Sequence, residues 1–266
     1  MLEGPRVRHE AILNTPVENL MGYHFSTPGE ATAASLQMIE KAKGDAVVFF
    51  DIDYTLFKSE QWIRKMGLNA FFRKQLPDFK SVSLESVVSS GGRYYQVPTY
   101  TDAARALGRD FYEIFTSEVA ANEVLHALMS TYSGATDLQR KFGDSNIPVV
   151  GYPTARPHAL SRVTSSALMH HGFANAPVID VSADSGNPQH AKAEFYLKNV
   201  LPHVQGGTIY HIDDHVDTAL SIQELCDGAV TPIVPIVPRN RASIPLLQER
   251  GIITGNFEEI AAKIGV

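Results

Sequence analysis

Five short apolar runs constrain this chain more than any other feature: Ala46–Phe50, Ile147–Tyr152, Pro177–Val181, Thr208–Ile212 and Ala229–Val237. Within each run the apolar character is continuous rather than alternating, so a strand made from it must be covered on both faces. Such strands belong to parallel sheets with helices on each side, and helix-like segments precede or separate the runs. The expected fold class is α/β, with a doubly wound parallel sheet at its core. The stretch Thr27–Lys43 illustrates the helical half of the pattern. Thr27 offers a capping hydroxyl, Pro28 fits the first helical position, Glu30 completes a capping box, and Gly44 supplies a stop.

One interval breaks the alternation. Roughly 95 residues separate the first two runs, about three times what a crossover helix needs. Trp62, Phe71, Phe72 and the segment Asp102–Tyr132 show helical spacing. The expected division is an α/β core of residues 1–58 and 145–266 with a mainly helical cap inserted at 59–144. Tyr94, Tyr95, Tyr100, Phe111, Tyr112 and Phe115 are expected to form the core of that cap.

Composition narrows the class further. Hydrophobic residues at 44% and charged residues at 20% suit a globular chain, and a net charge of −6 argues against a nonspecific nucleic-acid binder. Cys226 is the one cysteine, which excludes an internal disulfide, fits a reducing cytoplasm and reads as a core residue. No run approaches the ~20 apolar residues of a transmembrane segment, and the first twenty residues lack a secretory apolar stretch. A cytoplasmic location is expected, with signal-less export left open.

Ligands of open α/β sheets bind beyond the carboxyl ends of the strands, so the residues after each run matter most. Asp51, Asp53 and Thr55 follow the first run, and Thr154 follows the second in VVGYPTARP. Lys192 opens a helix-like segment between the third and fourth runs, and Asp213, Asp214 and Asp217 follow the fourth in YHIDDHVD. Each feature has an ordinary structural alternative. Paired acids after a strand often cap a turn or helix, Thr154 fits a helix N-cap, Lys198 competes with Lys192, and Arg156 suits a surface ion pair. His211 and His215 flank Asp213, but no cysteine accompanies them as zinc would favour. Cys226 lacks the arginine spacing of a cysteine-dependent phosphatase.

These four features, in this order and each at a strand end, resemble the haloacid dehalogenase (HAD) superfamily, whose phosphatases carry DxDx[TV], a strand-end Thr or Ser, a Lys and a terminal acidic motif. The resemblance spans residues 46 to about 220 and implies a Rossmann-like core with a cap between the first two motifs. It implies Asp51 as nucleophile and Asp53 as general acid and base, with Thr55, Thr154, Lys192 and Arg156 on the substrate or phosphate side. For metal it implies Mg2+ on Asp51, the Asp53 backbone carbonyl and Asp213, with Asp214 or Asp217 in support. A hard cation with oxygen ligands suits carboxylate attack on a phosphate dianion, because the two repel. Two departures stand out: Tyr54 where many relatives have glycine, and Ile212 where glycine often precedes the last acids.

The expected activity is Mg2+-dependent hydrolysis of a phosphomonoester through an aspartyl-phosphate, on a phosphorylated small molecule. The alternatives are an aspartate-based phosphatase acting on phosphotyrosine proteins, of the kind a bacterial effector could supply, and a noncatalytic HAD-fold module that binds protein or lipid.

Overall fold

The structure, a computed structural model, describes residues 25–43, 45–59, 67–83, 86, 96–120, 129–181, 190–204 and 206–266. Gly44, Trp62, Tyr94, Tyr95 and the first twenty residues, on which parts of the sequence reading rest, lie outside them. The chain forms two compact units, Met1–Leu56 with Tyr132–Val266, and Phe57–Thr131.

The first unit is built on one sheet. Among the described residues its strands are β1 Val47–Phe50, β2 Val149–Thr154, β3 Val178–Asp180, β4 Ile209–Ile212, β5 Val230–Pro235 and β6 Ile253–Gly255. They lie in the order β3-β2-β1-β4-β5-β6, and every adjacent pair is parallel. Helices flank the sheet, which is the Rossmann-like α/β arrangement the apolar runs require. All four residues of β1 and all six of β2 are buried, so continuous apolar sequence matches strands covered on both faces. Gly151 sits where three strands crowd: a Cβ there would come 2.9 Å from Ile179 Cδ1 and 3.0 Å from Phe49 Cε1. The sixth strand was not expected: its short apolar stretch in GIITG is flanked by glycines and was not among the five runs.

The helix Pro28–Lys41 begins as its sequence predicts, with the Thr27 hydroxyl accepting from the Glu30 N–H at 3.2 Å. The Glu30 carboxylate returns a bond to the Ser26 N–H at 2.8 Å, one residue earlier than a strict capping box. The helix Ala135–Asp144 corrects the expected cap boundary. It belongs to the sheet unit, because the Phe142 ring packs 5.9 Å from Phe50 and 5.9 Å from Tyr210. Cys226 is buried, and burial pushes its thiol up to about 11, which suits a core residue.

The second unit is tied at its ends, where Phe57 bridges Thr131 antiparallel and Lys58 N–H donates to the Ser130 carbonyl at 2.8 Å. Its described helices are Leu68–Gln75, Pro98–Ala106 and the turn Phe111–Ile114, which widens into Phe115–Ala120. Tyr100 stacks on Phe72 and Phe79, and Phe111 extends the aromatic cluster, as expected of a core. Tyr112 departs from that expectation: it is 53% exposed, since its neighbours Phe111 and Ile114 take the inward positions of a single helical turn. Among the described residues no helix is long and apolar enough to cross a membrane.

Candidate active site

Strand register alone brings two of the acids together. Phe50 pairs with Ile212 across β1 and β4, so Asp51 and Asp213 leave the sheet side by side. The ladder continues through them, with Asp51 N–H donating to the Ile212 carbonyl at 2.8 Å and Asp213 N–H to Ile233 at 3.0 Å. Asp51, Asp213 and Asp214 are all buried, and one oxygen from each lies within 4.8 Å of the others.

Lys192 bridges the pair. Its ammonium donates to Asp51 Oδ1 and, at 2.6 Å, to Asp213 Oδ2. Lys198 instead pairs with Glu194 at the surface, so the two lysines separate cleanly. Burial raises Asp51 to about 6, with Asp213 and Asp53 adding to the rise and Lys192 opposing it. Burial works against the Lys192 ammonium, yet Asp213 and Asp51 more than reverse this and hold it above its ordinary value. Burial likewise opposes the Asp213 carboxylate, but Lys192 and His211 hold it well below the usual range.

Sequence reasoning considered His211 only as a zinc ligand. It is fully buried, with Nδ1 2.8 Å from Tyr196 Oη and Nε2 3.2 Å from Asp213 Oδ2. Burial lowers His211 and raises Tyr196, so the phenol keeps its proton and the imidazole is neutral. The consistent tautomer has Tyr196 O–H donating to Nδ1 and Nε2–H donating to Asp213. The His215 N–H adds a bond to Asp213 Oδ1 at 2.7 Å. The Asp213 carboxylate is thus fixed by three donors, the Lys192 ammonium, the His211 imidazole and the His215 N–H.

Asp214 faces other partners. Its Oδ1 lies 3.0 Å from the Thr55 hydroxyl, its N–H donates to that hydroxyl at 2.9 Å, and Arg239 Nε donates to Oδ2. Burial raises Asp214, opposed by the Arg239 guanidinium. Thr55 Oγ1 is also 3.3 Å from Asp51 Oδ2, so one hydroxyl links the β1 loop to the β4 loop. Asp217 does not join the cluster. It stands exposed in the first turn of the helix Val216–Leu225, because only the residues before that helix continue the β4 ladder.

Asp53 and Arg156 form a pair of their own. Arg156 Nε and Nη2 each donate to a different Asp53 oxygen at 2.7 Å, and Nη1 donates to Thr164 Oγ1 at 2.9 Å. This planar two-point contact is an ion pair within the site, with the Arg156 side chain mostly buried, where the sequence offered a surface ion pair or a phosphate contact. Thr154 lies buried at the end of β2, where its hydroxyl accepts from the Arg156 N–H at 3.2 Å. Arg239 and Asn240 escaped the sequence reading altogether. Their signal was present in position alone, since VPRN follows the fifth apolar run where ligands of such sheets gather.

Three clustered carboxylates make an all-oxygen donor set, which fits a hard divalent cation and not zinc with His or Cys. A cavity of about 510 Å³ opens at the amino end of the sheet beside Lys43, Asp45, His203 and Thr208, away from these acids.

No protein-family model matches the chain, and no curated protein matches it. Solved structures do. A HAD family hydrolase from Deinococcus radiodurans R1, with bound phosphate and sodium, is 16% identical over 83% of this chain and 95% of its own, with a TM-score of 0.54. A Thermotoga maritima structure named for beta-phosphoglucomutase is 15% identical over 83% of this chain and 98% of its own, with a TM-score of 0.53. The chain has the haloacid dehalogenase superfamily fold.

Proposed function

We propose that this protein is a Mg2+-dependent phosphomonoester hydrolase acting through an aspartyl-phosphate on Asp51. The observation that carries this reading is the buried Asp51 carboxylate beside Asp213, bridged by Lys192, with Asp53 two residues on. A carboxyl raised to about 6 is still mostly ionised at neutral pH, as a nucleophile must be.

In the first step an Asp51 oxygen forms a bond to phosphorus as the ester P–O bond breaks, and Asp53 gives its proton to the leaving oxygen. In the second, water passes a proton to Asp53 and attacks phosphorus, and the Asp51–phosphorus bond breaks to release inorganic phosphate. Arg156 holds both oxygens of Asp53, so delivery of the proton requires one of those bonds to loosen. The Thr154 hydroxyl already accepts from Arg156 and keeps its own proton to donate to a phosphoryl oxygen. Asp51, Asp213 and the Asp53 carbonyl would hold Mg2+, with Asp214 in support. When bound, the ion supplies the positive charge that lets a carboxylate approach a phosphate dianion. The inserted unit Phe57–Thr131 lies in sequence between the first two motifs, and the substrate class proposed is a small phosphomonoester.

Hydrolysis of p-nitrophenyl phosphate with Mg2+ tests the reading. Asp51→Asn is expected to lose about 1000-fold or more in kcat, and chelation of the metal to abolish turnover. Equal slow rates in the wild type and Asp51→Asn would end it.

A further inference from the structure

Arg239 lies in the turn 238–240 that follows β5. Asn240 locks this turn in place: its Nδ2 donates to the carbonyls of Pro235 and Asp214 at 2.9 Å each, and its Oδ1 accepts from Val237 N–H at 3.0 Å. The loops after β4 and β5 are thereby joined. Arg239 is then held twice more. Nε donates to Asp214 Oδ2, and the guanidinium carbon sits 4.0 Å from the centroid of the Tyr54 ring.

Tyr54 is an unusual residue to offer that ring. Its φ is +63°, the left-handed region that favours glycine, so a side chain there carries a steric cost. Glycine would relieve the strain and lose the contact with Arg239. One edge bond and one stacked face fix the guanidinium plane before any substrate arrives.

The fixed side chain still has bonding capacity. Nη1 and Nη2 carry four N–H donors with no partner among the described residues, and the side chain is 28% exposed. The other two cations of the site are differently placed, Lys192 between Asp51 and Asp213, and Arg156 on Asp53 and Thr164. Arg239 reaches the same carboxylate cluster through Asp214.

We infer that Arg239 is a phosphate-binding residue, whose terminal guanidinium nitrogens receive oxygens of the phosphoryl group at the Asp51–Asp213 cluster, with Tyr54 and Asp214 as the residues that position it. The inference rests on the phosphatase reading for the identity of the anion.

Calorimetric titration of inorganic phosphate into the Mg2+-loaded protein tests it without requiring turnover. Arg239→Ala should weaken phosphate binding by about tenfold to a hundredfold, and Arg239→Lys by about tenfold. Arg239→Lys keeps a cation beside Asp214, so its Mg2+ affinity, titrated without phosphate, should stay within about twofold of wild type by the same argument. It also carries the test where Arg239→Ala fails to fold. Phosphate affinity unchanged in Arg239→Lys, lost only in proportion to Mg2+ affinity, or absent in the wild type would each overturn the inference. Phosphate binding that depends on Arg239 in a protein that hydrolyses nothing would sink the phosphatase reading and leave this one standing.

Discussion

In the sheet unit Asp51, Lys192, Asp213 and Asp214 lose nearly all contact with water, whereas among the described residues of the inserted unit the buried polar side chains are the neutral Ser59 and Asn69. Asp102, Arg105, Glu113 and Glu118 of the inserted unit stay exposed, and Arg109 is half-buried. The two solutions differ greatly in cost. A buried ion loses several kcal/mol of hydration that only well-placed partners return, while an amide with all its bonds made is nearly neutral to stability. Packing does not require the first arrangement, as the aromatic core of the inserted unit demonstrates. The proposed chemistry is what would offset the cost of burying charge at the carboxyl end of the sheet.

The comparison predicts where substitutions hurt most. Asp51→Asn has the largest expected effect on turnover, as given above. Lys192→Met has the largest on stability, because it leaves Asp51 and Asp213 buried without their shared cation; a loss of about 3–5 kcal/mol in urea unfolding is expected. The pH dependence has a definite sign. Asp51 rises from 3.8 to about 6 on folding, so its stabilising contribution is complete below pH 3.8 and is lost as pH rises through about 6. Without Lys192 that window extends above pH 6, and the metal-free variant should lose stability more steeply than wild type between pH 6 and 7. A flat profile there would show that Lys192 does not control Asp51.

Much of the sheet unit was legible because strand burial writes itself as uninterrupted apolar sequence. Five strands and the acids after β1 and β4 followed from that pattern, and register then carried Asp51 to Asp213. What escaped lacks any local pattern. Arg239 and Asn240 matter only because β5 lies next to β4, and nothing within VPRN says so. His211 sits inside an apolar run, where its link from Tyr196 to Asp213 joins two elements distant in sequence. The Arg156 contact with Asp53 was not legible, since a guanidinium suits a carboxylate and a phosphate equally well and the two residues lie far apart in sequence. The boundary at 144 failed for a related reason: amphipathic helices look alike whichever unit they cover, and only the Phe142 contacts with Phe50 and Tyr210 assign Ala135–Asp144 to the sheet.

Within the inserted unit the same reasoning ranks its neutral and charged contacts. Asn69 Nδ2 donates to the Val82 carbonyl at 3.1 Å, and its Oδ1 accepts from the Val82 N–H and the Tyr100 hydroxyl at 3.0 Å each. Asn69→Ala removes all three bonds at a buried position and should cost about 2–3 kcal/mol, with faster hydrogen exchange at Val82. Arg109 makes more contacts, reaching Glu113, Glu118 and Ser117, yet both acids are exposed. Water already solvates each partner, and three long side chains lose rotamer freedom to hold the network. Arg109→Ala should therefore shift the midpoint of thermal unfolding by less than about 2 °C. A shift as large as that of Asn69→Ala would show that this surface network is an organising element of the unit, and the contrast between buried amide and solvated ions would no longer hold.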